Sequence, residues 1–191
     1  MQRTSLIQRL AESKGFDIAV IGGGATGLGV ALDASLRGFK VILLESHDFA
    51  KGTSSRATKL VHGGVRYLAQ GNIGLVREAL SERTTLLHNA PHLADALPFV
   101  MPSYKWWESP FYGIGLKAYD ALAGKASLGP TELLGTQETL RLLPNAKPEG
   151  LFGGVKYWDG QFDDARLALA LARTAQNHGA HHGCGTPSLV K

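Results

Sequence analysis

Three glycines, Gly22, Gly24 and Gly27, stand in the order G-x-G-x-x-G directly after the apolar run Ile18 to Ile21. The first glycine of such a set permits a tight turn, the second lets backbone approach a pyrophosphate, and the third lets a helix pack closely on a strand. Glu45 follows Gly27 by 18 residues, near the roughly 20-residue separation at which a carboxylate meets a ribose hydroxyl. A carboxylate there repels a 2′-phosphate, which disfavours NADP. These residues can hold a dinucleotide, although the glycines alone do not separate FAD from NAD. The stretch Lys51 to Gln70 that follows is dense in hydrogen-bond donors: hydroxyls at Thr53, Ser54 and Ser55, and charge at Arg56, Lys59 and Arg66. Gly63 and Gly64 let backbone come close to something flat. His62 carries an imidazole, whose ordinary pKa suits it to take the proton of a secondary alcohol as hydride leaves. Arg66 carries the fork that binds phosphate oxygens bidentately. Each has a plainer reading as well: His62 as a turn histidine bonded to a carbonyl, Arg66 as an exposed loop arginine, Tyr67 as a packing aromatic.

The elements that must position these groups follow from periodicity and punctuation. A helix is expected from about Ala25 to Arg37, its positive N-terminus aimed at the phosphates, with Gly38 stopping it and Phe39 to Leu44 forming the next parallel strand. Apolar residues at Leu75, Val76, Ala79, Leu80, Leu86 and Leu87 predict a helix from Leu75 to Asn89, closed off by Pro91 and Pro98. Gly150 to Lys156 and Tyr157 to Phe162 read as short strands or turns leading into the substrate layer. A helix from Asp164 to His178 ends at Gly179, and HHGCGTPSLVK reads as a starting strand. Tyr104 to Trp107, Pro110 to Tyr112 and Tyr119 form an aromatic stretch that suits either an interfacial membrane contact or the packing of a second domain.

Composition bounds the rest. The chain of 191 residues is 44% hydrophobic and carries 20 Lys and Arg against 16 Asp and Glu. That is enough to bury a core, and the small basic excess suits an anionic substrate or lipid surface rather than nucleic acid. A single cysteine, Cys184, excludes an internal disulfide and a cysteine metal cluster, and the seven histidines, His181 and His182 among them, show no metal-ligand spacing. No apolar run reaches a membrane span and no signal-peptide core follows the first methionine, so a cytoplasmic location is expected. Gln2 to Leu10 faintly resembles a mitochondrial targeting helix but reads better as a short docking helix.

The segment GTSSRATKLVHGGVRYL resembles the flavin-contacting segment of the FAD-dependent glycerol-3-phosphate dehydrogenase family. REALSERTTLLHNAPHL, GLKAYDALAG and YWDGQFDDARLALALA resemble the same family in the same order, so the resemblance covers about Gly15 to Ala180. It implies an α/β chain, a Rossmann-like FAD-binding domain with an inserted substrate-binding segment of helices and strands. Residues 1–90 would be the FAD-binding part with the flavin loop, 91–162 the start of the substrate-binding and membrane-facing segment, and 163–191 the return to the FAD domain. The resemblance further implies oxidation of sn-glycerol 3-phosphate to dihydroxyacetone phosphate, hydride passing from C2 to flavin N5, and electrons passing to a quinone or, in oxidase relatives, to oxygen. Carried onto this sequence, Gly22, Gly24, Gly27 and Glu45 would hold the ADP part of FAD. Thr53, Ser54, Ser55 and Lys59 would lie along the pyrophosphate and isoalloxazine, with His62 and Gly63 beside the flavin ring. His62 would be the base, Arg66 and Tyr67 would face the substrate, and Arg66 would also meet phosphate or developing alkoxide. For Asp163, Asp164 and Arg166 the structural role is favoured, since an aspartate before an apolar run is a helix N-cap. Members of that family are longer, so an incomplete parallel sheet is expected. A peripheral contact with the inner membrane, mitochondrial in a eukaryote, and a homo-oligomer are compatible with it. The alternatives are another flavin-dependent oxidase of the same fold and an inactive nucleotide-binding fragment.

Overall fold

Two parallel strands need a connection of a dozen or more residues between them, and the glycine-rich stretch supplies one. In the computed structural model, which describes residues 8, 10–64, 67 and 70–184, strand β1 (Ile18–Ile21) leads through helix α1 (Ala25–Leu36) into strand β2 (Val41–Glu45). The two strands pair in parallel with Ile18 opposite Val41. The chain continues through a 3-10 turn (Thr53–Ser55), β3 (Leu60–Val61), α2 (Ile73–Asn89), β4 (Ala94–Ser103), α3 (Glu108–Ala123) and β5 (Glu132–Leu134). It ends with α4 (Thr136–Leu142), β6 (Gly153–Phe162), α5 (Asp164–Asn177) and β7 (His181–Cys184). The docking helix expected over Gln2 to Leu10 lies almost wholly outside the described residues.

The chain forms two compact units, Met1–Lys59 with Asp163–Lys191, and Leu60–Phe162. The boundary expected near residue 90 falls instead at Lys59–Leu60. The reason is pairing: β3 joins β6, and α2 shares a small core with α3 through Val76, Leu80, Tyr119 and Ala123.

In the first unit β2 lies between β1 and β7, and all pairings are parallel. Helices α1 and α5 share one core: Leu28, Ala31 and Ala34 of α1 and Ala168, Ala172 and Ala175 of α5 are buried together with Val20, Val41 and Leu43. Small side chains on both helices let the backbones approach closely. Asp163 precedes α5 as its cap, its side chain accepting from the Arg166 N–H at 3.0 Å. Gly179, at φ +93, follows the last turn.

In the second unit the stretch expected as short strands or turns between Gly150 and Phe162 holds one ten-residue strand, β6 (Gly153–Phe162). It is continuous because β4 pairs with it throughout, from Ala94 opposite Phe162 to Ser103 opposite Gly153. The other side of β6 takes β3 at one end and β5 at the other. With β4 at the edge of this sheet, Pro98 and Pro102 are accommodated inside a strand, because an edge residue can lack an N–H donor without breaking a ladder. Pro98 therefore belongs to β4 rather than closing the preceding helix. The aromatic stretch runs into α3, which buries Gly113, Leu116, Tyr119 and Ala123.

The cap reading of Asp163 gives a direct expectation. Asp163→Ala should lower stability by about 1 kcal/mol, seen as a reduced urea midpoint with unchanged m-value. An unchanged midpoint would remove the cap from the account of α5.

Candidate functional site

The first unit contributes a glycine cradle whose shape can be read atom by atom. Gly22 leaves β1 at φ +108, a conformation that other residues resist, and its N–H donates to the Leu44 carbonyl at 2.8 Å. A Cβ at Gly27 would run into the Gly22 carbonyl and lie close to Val20. The first and third glycines therefore serve one another. Gly24 is the extended N-cap of α1, with no side-chain cap and no acidic residue in the first turn. Such a helix start suits an anion, since its N–H groups and dipole both favour negative charge. Ser54 reaches in from the 3-10 turn, its Oγ accepting from the Ala25 N–H at 3.0 Å. Thr53 is exposed and Ser55 half-buried. Ser55 lines a surface cavity of about 580 Å³ with His47, Asp48, Phe49, Lys51 and Ala165.

Glu45 turns back onto this cradle. Its Oε2 accepts from the Gly23 N–H at 2.7 Å and its Oε1 from the His47 N–H at 2.8 Å. These backbone donors, Gly23 first, hold the carboxyl below its ordinary range. The Ser46 hydroxyl also donates to Oε1, at 3.3 Å, so of the carboxylate's about four lone-pair sites one is left for a further donor. Glu45 both ties the end of β2 to the glycine loop and remains an acceptor.

Lys59 has a different engagement from the one expected along a pyrophosphate. It takes a left-handed backbone, φ +59, and its Nζ lies 2.7 Å from Oδ1 of the buried Asp164, which also accepts from the Ala165 N–H. The Lys59 ammonium is the first cause of a lowered Asp164 pKa, and Asp164 in turn raises that of Lys59. Its ammonium has three donors, so the pair occupies only part of it.

The second unit carries His62 and Gly63 immediately after β3. Gly63 donates its N–H to Asp159 Oδ1 at 3.0 Å, and a Cβ on it would collide with the Tyr119 hydroxyl and crowd Leu80. What Gly63 lets come close is thus Tyr119. Asp159 Oδ1 also accepts from Arg83 Nη1 at 2.9 Å and from the Gly160 N–H at 2.9 Å, and Oδ2 lies 3.8 Å from His62 Nδ1. Arg83 is 1% exposed. Its Nη1 also donates to the Tyr119 hydroxyl and its Nη2 to the Ala126 carbonyl at 2.7 Å. Burial first, then the Asp159 charge, pushes the Tyr119 hydroxyl well above its ordinary pKa. The His62 ring is half-exposed and lines a cavity of about 770 Å³ with Gly64, Tyr67, Glu78, Glu82 and Phe162. Arg66 lies outside the described residues.

Arg83 and Asp159 are the members of this site that sequence patterning passes over. The signal for Arg83 is its spacing: it stands seven residues after Val76 and three after Leu80, so it shares the buried stripe of α2. A charge on an apolar stripe requires an interior partner. Asp159, inside YWDGQF, offers no comparable local signal. Among the described residues no group of three His, Cys, Asp or Glu side chains is arranged to hold a metal ion.

The family model for FAD dependent oxidoreductases matches residues 17–189. The mitochondrial glycerol-3-phosphate dehydrogenase of Rattus norvegicus is 48% identical over 185 residues, covering 93% of this chain and 25% of that protein. Glycerol-3-phosphate dehydrogenase of Mycobacterium leprae is 48% identical over 187 residues, covering 97% of this chain and 32% of that one. The chain thus spans a quarter to a third of the length of these curated relatives. The crystal structure of the Bacillus halodurans glycerol-3-phosphate dehydrogenase complexed with FAD superposes with a TM-score of 0.67 at 34% identity, over 96% of this chain and 29% of that one. An L-alpha-glycerophosphate oxidase from Mycoplasma pneumoniae, with FAD bound, has the same fold, with a TM-score of 0.65 at 20% identity over 91% of this chain and 45% of that one.

The Lys59–Asp164 pair makes stability depend on pH in a defined sense. A carboxyl whose folded pKa is lowered stabilises above its unfolded value, near 4, and loses that contribution as pH falls through the folded value. Asp164→Asn should therefore be less stable than the wild type at neutral pH, with the gap in urea midpoint closing below about pH 4. A gap independent of pH would assign the loss to packing instead.

Proposed function

We propose, from the premise that this chain belongs to the FAD-dependent oxidoreductase family, that it is part of an enzyme oxidising sn-glycerol 3-phosphate to dihydroxyacetone phosphate. The observation that carries the substrate is the 48% identity, over 93% of the chain, to proteins named glycerol-3-phosphate dehydrogenase. The residues present fit the cofactor: a helix start behind three glycines whose N-cap, Gly24, brings no side chain and whose first N–H is met by the Ser54 hydroxyl, and a carboxylate kept ionised by backbone donors yet still able to accept. Gly22, Gly24 and Gly27 would receive the pyrophosphate and Glu45 the adenosine ribose. Thr53, Ser54, Ser55 and Lys59 would follow the cofactor towards its ring, and Gly63 would lie beside that ring. When bound, FAD supplies the two-electron acceptor for the hydride leaving C2 of the substrate.

The chain's own residues supply the rest. His62 accepts the proton of the C2 hydroxyl as the carbonyl forms. Its imidazole is reachable from solvent while its turn is anchored to Asp159 through Gly63. Arg66 is the substrate's phosphate partner and Tyr67, 41% exposed on the cavity wall, a second group on the substrate side. A flavin-dependent oxidase of the same fold, acting on an unphosphorylated alcohol or amine, draws support from Glu78 and Glu82 on that wall, since carboxylates repel a phosphate. The electron acceptor is a quinone, which calls for a membrane surface. No described helix is long and apolar enough to cross one, but Trp106, Phe111 and Ile114 are 75%, 63% and 73% exposed around the start of α3. Lys105 sits 5.5 Å from the Trp107 ring. Amphipathic aromatics beside a lysine suit the headgroup layer.

Two measurements test these assignments. Under anaerobic conditions the flavin absorbance of the intact protein should bleach with glycerol 3-phosphate and persist with glycerol. His62→Asn should keep its flavin but reduce it about 10²- to 10⁴-fold more slowly. Bleaching by unphosphorylated substrates would favour the oxidase alternative, and an unchanged rate in the variant would remove His62 from the chemistry. Trp106→Ala combined with Phe111→Ala should weaken co-sedimentation with anionic phospholipid vesicles by about tenfold or more, given the apolar area lost. Equal binding would turn that surface over to protein packing.

A further inference from the structure

We propose that Asp159 is the positioning residue of His62, holding its imidazole in the tautomer protonated at Nδ1 so that Nε2 is the bare nitrogen that takes the substrate's proton. This rests on the reading of His62 as the base. The carboxylate cannot turn freely, because Oδ1 accepts from three donors: Arg83 Nη1 and the N–H groups of Gly63 and Gly160, at 2.9, 3.0 and 2.9 Å. Fixing Oδ1 fixes Oδ2, which faces His62 Nδ1 at 3.8 Å. At that distance the contact is electrostatic rather than a hydrogen bond. A carboxylate oxygen accepts only, so it favours an N–H at Nδ1 over a lone pair. Arg83 supplies the partner that lets a carboxylate occupy the interior. The same aspartate anchors the backbone one residue beyond His62, so ring and turn are set by one group.

The test is the nitrogen-15 spectrum of histidine-labelled, FAD-loaded protein at a pH where the imidazole is neutral, with His62 assigned by the signals lost in His62→Asn. The expected result is a protonated Nδ1 and a bare Nε2. A majority of the opposite tautomer overturns the proposal, whatever any variant does. Asp159→Asn offers a second reading. The three donors select the amide oxygen, leaving the NH₂ to face His62 and invert the tautomer, and flavin reduction should fall by about 10²- to 10⁴-fold, as when a histidine base is left in the wrong tautomer. A folded Asp159→Asn protein with the wild-type tautomer also overturns it. The base itself is judged separately: an Nδ1-protonated ring together with normal reduction in His62→Asn would sink the base and keep the positioning, and the converse pair of results would do the reverse.

Discussion

A guanidinium in a protein interior is tolerable only when its charge is met, and the second unit is organised around the two terminal nitrogens of Arg83, which are bonded while its buried Nε has no partner among the described residues. Helix α2 delivers it, α3 supplies Tyr119, the turn after α3 supplies the Ala126 carbonyl, and β6 supplies Asp159. Removing one partner of such a buried pair costs about 3–5 kcal/mol, because the other is left uncompensated. The arrangement is therefore all or nothing. Once Asp159 is fixed by Arg83, its remaining capacity dictates where the Gly63 N–H goes, and with it the exit of the chain from β3.

The two units solve the same local problem in the same way. In each, a glycine turn follows a strand, and a carboxylate from a distant position reaches a glycine N–H: Glu45 to Gly23 in the first unit, Asp159 to Gly63 in the second. Glycines make these turns possible but also loosen them. A carboxylate bonded to the turn restores rigidity while keeping lone pairs for a ligand or a neighbouring ring.

The sequence makes legible whatever depends on near neighbours in the chain. The glycine fingerprint, α1, β2 and the cap at Asp163 are set by residues within a few turns of each other, and they stand close to where spacing puts them. The continuous β6 was hidden because its unity comes from β4, some sixty residues earlier, and local glycines argue for a break. Pro98 misled for the same reason: its place in a strand is permitted by an edge position that only the sheet order defines. Lys59 shows a third kind of gap. Its charge suits a phosphate, but its partner Asp164 lies 105 residues on, and nothing local signals that pairing.

That same pair, with Leu60 opposite Gln161 just beyond it, sets the points where the chain enters and leaves the second unit side by side. The 103 residues of Leu60–Phe162 lie between α1 and the α5 helix it must pack against. Left as open coil, they would impose the closure entropy of a long loop. Once folded with their ends paired they act as a link of a few residues, which lowers that closure cost by about 3 kcal/mol on the logarithmic scaling. Where the ends meet thus couples the two foldings: an ordered insert lowers the cost of packing α1 on α5, and that packing in turn favours ends held together.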